Sequence, residues 1–151
     1  MSRPLYKTKI MAYHISTSIN INADVNTVWN VFTQFESYPE WSSFIKSIKG
    51  NVAVGEKINI EIDGMKFAPR VLVFEKDKEL TWLGKLWFSG IFDGKHSFKF
   101  QENADGTTEF IQEEQFRGIL VPIMKKRLRT DIVAGFNSWN EALKQRSEQL
   151  S

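Results

Sequence analysis

From Pro122 to Leu150 no second proline interrupts the chain, and Leu128, Ile132, Phe136, Trp139 and Leu143 recur every three or four residues. The spacing predicts one amphipathic helix of ~27 residues, about 40 Å long. A helix of that length with one apolar stripe needs a groove of matching length to bury it. Whatever precedes it must therefore supply a long concave surface.

The preceding residues are patterned to do so. Tyr13, Ile15, Thr17, Ile19 and Ile21 alternate with mostly polar residues, the period of a strand buried on one face. Val25, Val28, Trp29 and Phe32 then follow helical spacing, with Asn22 or Asp24 available as the cap. Ser37-Tyr38-Pro39 opens a second brief helix carrying Trp41, Phe44 and Ile45. Strand-like runs follow at about 46–54, 56–63, 65–75, 79–87, 92–102 and 107–117, most of them separated by turn residues. Asp63-Gly64 is the strongest hairpin signal and sets Ile62 opposite Met65, so that Ile58, Ile60, Phe67 and Val71 share a face. A two-residue turn at Asp77-Lys78 places Val73 opposite Trp82. The turn near Asn103–Gly106 brings Phe98 near Phe110 and His96 near Gln112. The expected class is α+β: a curved antiparallel sheet of six to seven strands around the C-terminal helix, with two short helices after strand 1.

Composition narrows the functions. Twenty basic and eighteen acidic residues give a charge of +2, without the positive field of a nucleic-acid binder. With no cysteine there is no thiolate chemistry and no disulfide, which fits a cytoplasmic protein. Met1–Ala12 reads as an N-terminal extension lacking the apolar core of a secretory signal, and 13–150 as one domain. Only His14 and His96 could offer imidazole, so no metal site or cofactor is expected. Neither a phosphate-binding glycine loop nor a G-x-S-x-G elbow occurs. Aromatics make up 13% of the chain, enough to line an apolar interior.

Several local sequences carry a resemblance. Ile21-Asn22-Ala23-Asp24 leading to Val28-Trp29, then Phe35-Glu36-Ser37-Tyr38-Pro39-Glu40-Trp41, are followed by Leu80-Thr81-Trp82 and Phe92-Asp93-Gly94-Lys95-His96-Ser97-Phe98. Gly106-Thr107-Thr108, Glu114-Gln115-Phe116-Arg117-Gly118, Phe136-Asn137 and Ala142-Leu143-Lys144 complete the set. Nearly the whole chain thus resembles the SRPBCC superfamily of START-like, birch-pollen-allergen-like helix-grip proteins, in its small bacterial polyketide cyclase/dehydrase and lipid-carrier branch. Asp24 stands where that family often begins its first helix with proline. The resemblance implies a hydrophobic cavity but does not choose among carriers, cyclases and chaperone-activating adaptors.

Candidate site residues follow from face and chemistry. His96 is either a structural histidine bonded to Gln112, Glu114 or backbone, or a general acid or base. Gln112 and Glu114 share the inward parity of Phe110 and Phe116, so they either pair internally or orient a ligand. Trp41, Trp82, Trp87, Phe88 and Phe92 line or gate the cavity, or else pack as core. Phe44, Phe67, Val71, Phe98, Phe116, Ile132, Phe136 and Trp139 complete the candidate walls. Gly135, within a turn of Ile132 and Trp139, either leaves room for a ligand or permits close packing. Lys125, Lys126, Arg127 and Arg129 form a solvated basic face, with weak docking to an anionic membrane surface or a partner protein as the second reading. The leading expectation is a binding or carrier protein for a hydrophobic lipid, quinone or polyketide-like molecule, held in an internal aromatic-lined cavity between the sheet and the C-terminal helix. The alternatives are a cyclase, dehydratase or isomerase using His96 and Glu114, and a protein-interaction adaptor.

Overall fold

The structure, a computed structural model, describes residues 12–86 and 90–151. The proposed extension up to residue 11, and Trp87, Phe88 and Ser89, lie outside the described residues. Strand β1 (Ala12–Ile21) leads into helix α1 (Val25–Thr33), where the Asp24 carboxylate accepts the Thr27 N–H at 2.7 Å and so caps the first turn. A 3₁₀ turn (Phe35–Ser37) runs into the short α2 (Tyr38–Trp41). Ser37 makes no side-chain cap; its hydroxyl donates to the Gln34 carbonyl and accepts from the Trp41 indole N–H instead.

Seven strands follow: β2 (Ile45–Lys49), β3 (Asn59–Ile62), β4 (Met65–Phe67), β5 (Arg70–Glu75), β6 (Glu79–Leu86), β7 (Phe92–Glu102) and β8 (Thr108–Arg117). They form an antiparallel five-stranded sheet in the order β1-β8-β7-β6-β5 and a three-stranded sheet β2-β3-β4. The run 65–75 is divided because Pro69 has no N–H to continue a ladder. A Lys57–Arg70 bridge and the Ile58 N–H to Pro69 carbonyl bond join the small sheet to the large one.

The Asp63-Gly64 turn has both residues at positive φ (49° and 76°), a two-residue hairpin that pairs Ile62 with Met65 as the sequence predicts. Two other registers differ from expectation. The β5–β6 turn spans three residues, with Asp77 at φ 62°, and a bulge between Val71 and Val73 sets Val71, rather than Val73, opposite Trp82. At the β7–β8 turn the Asp105 carboxylate accepts the Thr107 N–H, centring the loop one residue later. Phe98 therefore faces Gln112, and His96 faces Glu114. Both shifts leave Trp82, His96, Phe98, Gln112 and Phe116 buried.

After β8 the chain forms α3 (Val121–Arg127), a π-turn (Leu128–Ile132) and α4 (Val133–Leu150). Two successive four-residue steps, Leu128 to Ile132 to Phe136, overrun an α-helical turn by roughly 40° each. The wider π-turn absorbs that drift, so Leu128 and Phe136 are both buried. α4 lies against β1, α1 and β8. Beneath it Phe32, Phe98, Phe110 and Trp139 pack ring against ring at 5.0–6.4 Å.

Gly118, at φ 137°, turns the chain from β8 into α3, and a Cβ there would collide with the Ile91 main chain. Gly118→Ala is expected to cost at least about 1–3 kcal/mol from the backbone conformation alone. A thermal melt unchanged from wild type would show that this turn is not held as described.

Candidate ligand pocket

Along β6 and β7 the inward positions run Trp82, Gly84 and Gly94, His96, and the register pairs Gly84 with Gly94 and Trp82 with His96. Two adjacent inward positions therefore carry no side chain. Over that gap lies the β3–β4 hairpin, and the space between is walled by Ile60, Ile62, Phe67, Pro69, Trp82 and Phe92, with His96 and Glu114 at its polar side and Lys85 also lining it. Its volume is about 60 Å³. That is room for a few waters, well below the roughly 300–1,000 Å³ of sites for drug-sized ligands.

His96 is 1% exposed and lies between Phe98 (ring centroids 4.3 Å apart), Phe136 (4.9 Å) and Trp82 (5.2 Å). Its Nε2 meets Gln112 Oε1 at 2.9 Å, and its Nδ1 lies 3.4 Å from a Glu114 carboxyl oxygen. Burial drives the imidazole pKa down to about 3, against the opposing pull of the Gln112 bond, so the ring is neutral at physiological pH. Burial likewise raises the Glu114 carboxyl to about 8, so the acid is mostly protonated at pH 7. Gly94 makes this placement possible, because a Cβ on it would meet Glu114 Oε1 at 2.5 Å. Behind His96 the polar chain continues from Gln112 Nε2 to Asn140 Oδ1 (2.7 Å), and from Asn140 Nδ2 to Thr17 Oγ1 (2.9 Å).

Of the residues singled out from sequence, Phe67, Trp82, Phe92, His96 and Glu114 line this pocket. Gln112 and Phe136 back His96, and Phe116 stacks on Phe92 at 5.5 Å. Val71 and Phe98 are wholly buried. Trp41, Phe44, Ile132 and Trp139 belong to the packed interior away from the pocket. The space beside Gly135 is filled by the Phe44 ring, so this glycine serves close packing and leaves no void. Trp87 and Phe88 lie outside the described residues. Lys125, Lys126, Arg127 and Arg129 are exposed; Arg127 approaches Asp63 of the hairpin turn at 3.7 Å, and Lys125 sits 5.9 Å from the Tyr13 ring. Sequence reasoning missed Gly84, Gly94, Ile60, Ile62, Pro69 and Lys85 as lining residues. The glycine pair was the available signal, legible only once β6 and β7 are aligned.

A long helix gripped by an antiparallel sheet, with two short helices after the first strand, defines the START-like, SRPBCC-type architecture. Within it, the chain belongs to the polyketide cyclase/dehydrase and lipid transport family, whose model matches residues 12–148. No curated protein sequence matches it. Among solved structures it is similar to a hypothetical protein of Helicobacter pylori (TM-score 0.77, 17% identity, covering 89% of this chain and 88% of that one). It is also similar to a START superfamily protein from Mycobacterium smegmatis (TM-score 0.68, 18% identity, 91% and 99% covered). A third is the di-domain ARO/CYC protein BexL of the BE-7585A biosynthetic pathway (TM-score 0.71, 13% identity, 91% and 50% covered). At these identities the likeness is one of fold. Among the described residues no helix is long and apolar enough to cross a membrane.

Proposed function

We propose that the protein binds and carries a hydrophobic small molecule, of lipid, quinone or polyketide type, in the pocket over Gly84 and Gly94. The observation that supports this is a recess with apolar walls and a single polar side, set where two paired strands both omit their inward side chains. The 60 Å³ space admits part of such a ligand, so full binding requires the β3–β4 hairpin to move outward. That hairpin belongs to the smaller sheet, and its Arg127–Asp63 tether is half exposed on both sides and therefore weak. A cytoplasmic setting fits the cysteine-free sequence.

A second reading, a cyclase- or dehydratase-type enzyme, draws on the Glu114–His96 pair. A protonated acid beside a neutral imidazole places a proton donor and a proton acceptor at one wall.

The test of binding uses Gly84→Val. A Cβ at Gly84 meets nothing closer than 3.8 Å, so the variant is expected to fold while its side chain fills the pocket. Titration with the neutral dye Nile red should give saturable binding to the wild type and at least about tenfold weaker binding to the variant. Equal binding by both proteins would remove this pocket as the site.

A further inference from the structure

Resting on the binding reading above, we infer that Glu114 enters the pocket as a hydrogen-bond donor, so that the pocket selects an uncharged ligand with an acceptor oxygen and refuses a carboxylate. The argument is one of direction. A main-chain carbonyl can only accept, and the Gln112 carbonyl takes the Thr17 hydroxyl proton at 3.1 Å. Thr17 Oγ1 must then accept, so Asn140 presents its NH₂ to it and its Oδ1 to Gln112. Gln112 accordingly turns its NH₂ toward Asn140 and its Oε1 toward His96. The Phe136 carbonyl, 3.4 Å from the same Gln112 Nε2, demands the same orientation. His96 Nε2 therefore carries a ring proton, and because burial among Phe98, Phe136 and Trp82 keeps the ring neutral, Nδ1 is left with a bare lone pair facing Glu114 at 3.4 Å.

An ionised Glu114 would set an acceptor against an acceptor at a mostly buried wall, whereas a carboxylic acid presents an O–H. The Glu114 side chain is 15% exposed and lines the void, so that O–H can turn from Nδ1 to a ligand oxygen. Few other charges face it. From β7 there is His96, and from β6 Lys85 lines the same recess. Ile15, paired from β1, and Ile60, Ile62 and Phe67 of the hairpin carry none. Asp93 and Lys95 line a separate outer recess with Leu83, Gln115 and Arg117. Burial holds the Glu114 proton until about pH 8, and above that the donor is lost.

Isothermal titration with three probes of one shape tests this: 2-acetonaphthone, which offers a carbonyl, 2-naphthoate, which offers a carboxylate, and 2-ethylnaphthalene, which offers neither. Near neutral pH the ketone is expected to bind about tenfold more tightly than either of the others. Its affinity should then fall toward that of the hydrocarbon as pH rises past about 8. Glu114→Gln, which keeps a donor but cannot ionise, should bind the ketone a few-fold more weakly and without that pH dependence, whereas Glu114→Leu should bind ketone and hydrocarbon alike. Naphthoate binding as tightly as the ketone, through Lys85 or otherwise, or hydrocarbon binding equal to ketone binding, overturns the inference and leaves the pocket standing. If none of the three binds, the pocket reading itself fails, and the inference with it.

Discussion

Trp139→Ala is expected to destabilise the protein by about 3–5 kcal/mol, the range for emptying a large aromatic from a packed core. Trp139 is fully buried on the inner stripe of α4 and touches rings from three directions: Phe32 of α1, Tyr38 and Trp41 of α2, and Phe98 and Phe110 of the sheet, all at 5.6–6.0 Å. Its indole N–H donates to the Ser42 hydroxyl at 2.8 Å, and that hydroxyl in turn donates to the Ile45 carbonyl. Truncation therefore opens a cavity and removes the donor to a buried hydroxyl oxygen where the short helices join β2. Trp139→Phe, which keeps most of the volume and loses only the N–H bond, should cost nearer ~1 kcal/mol. Denaturant titration measures both. A loss below about 1 kcal/mol for the alanine variant would mean that these rings do not form one interlocked core.

The second large effect is on the pH dependence of stability. Glu114 in the folded protein holds its proton up to about 8, against an ordinary 4.5. The stabilisation this represents is fully present below the ordinary value and is lost as pH rises toward and through 8, at up to about 1.4 kcal/mol per pH unit. His96 runs the other way. Its folded value of about 3 lies below the ordinary 6.5, so the stabilisation of the neutral ring is present above 6.5 and is lost as pH falls through 3. Between 4.5 and 6.5 the two slopes oppose each other and largely cancel. Wild-type stability should therefore be flat in weak acid and decline on both sides. The acid limb is reinforced by Glu113, which its bond to Lys99 holds below the usual carboxylate range. Glu114→Gln should remove the alkaline decline and keep the acid one. Denaturation midpoints from about pH 4 to 9 decide the matter; parallel curves for wild type and variant would mean that folding does not shift the Glu114 carboxyl.

The two effects divide the interior into an aromatic half that is filled and a polar seam that leads to the pocket. Trp139 and its neighbours sit under α4, and His96 is the wall between them and the space over Gly84 and Gly94. The space between the last helix and the sheet, where the sequence predicts the cavity, is filled by these rings, and the recess lies instead at the hairpin, where the smaller sheet meets the larger. Gly135 illustrates the point: its missing side chain is answered by Phe44 from the segment before β2.

Sequence alone determined most element types and the faces they bury, because both are periodic along the chain; the exception is the second short helix, which ends at Trp41 and leaves Phe44 outside it and Ile45 at the start of β2. The stripe from Leu128 to Leu143, the alternation in β1 and the Asp63-Gly64 turn each require only neighbours within a few residues, and each is found in the structure. Parity survived even where register did not, since a shift of two residues keeps a side chain on its own face. What only the tertiary structure decided was which inward residues meet. The turn centred on Asp105 set that Glu114 rather than Gln112 stands across from His96, and the bulge in β5 set that Val71 rather than Val73 stands across from Trp82. The pocket is made by two glycines ten positions apart that become neighbours only when β6 and β7 pair, and by a hairpin from elsewhere in the chain. An absence of side chains has no periodicity to read, and its consequence depends on what folds over it. The same holds for Thr17 and Asn140, whose places in the polar seam come from a strand and a helix more than a hundred residues apart.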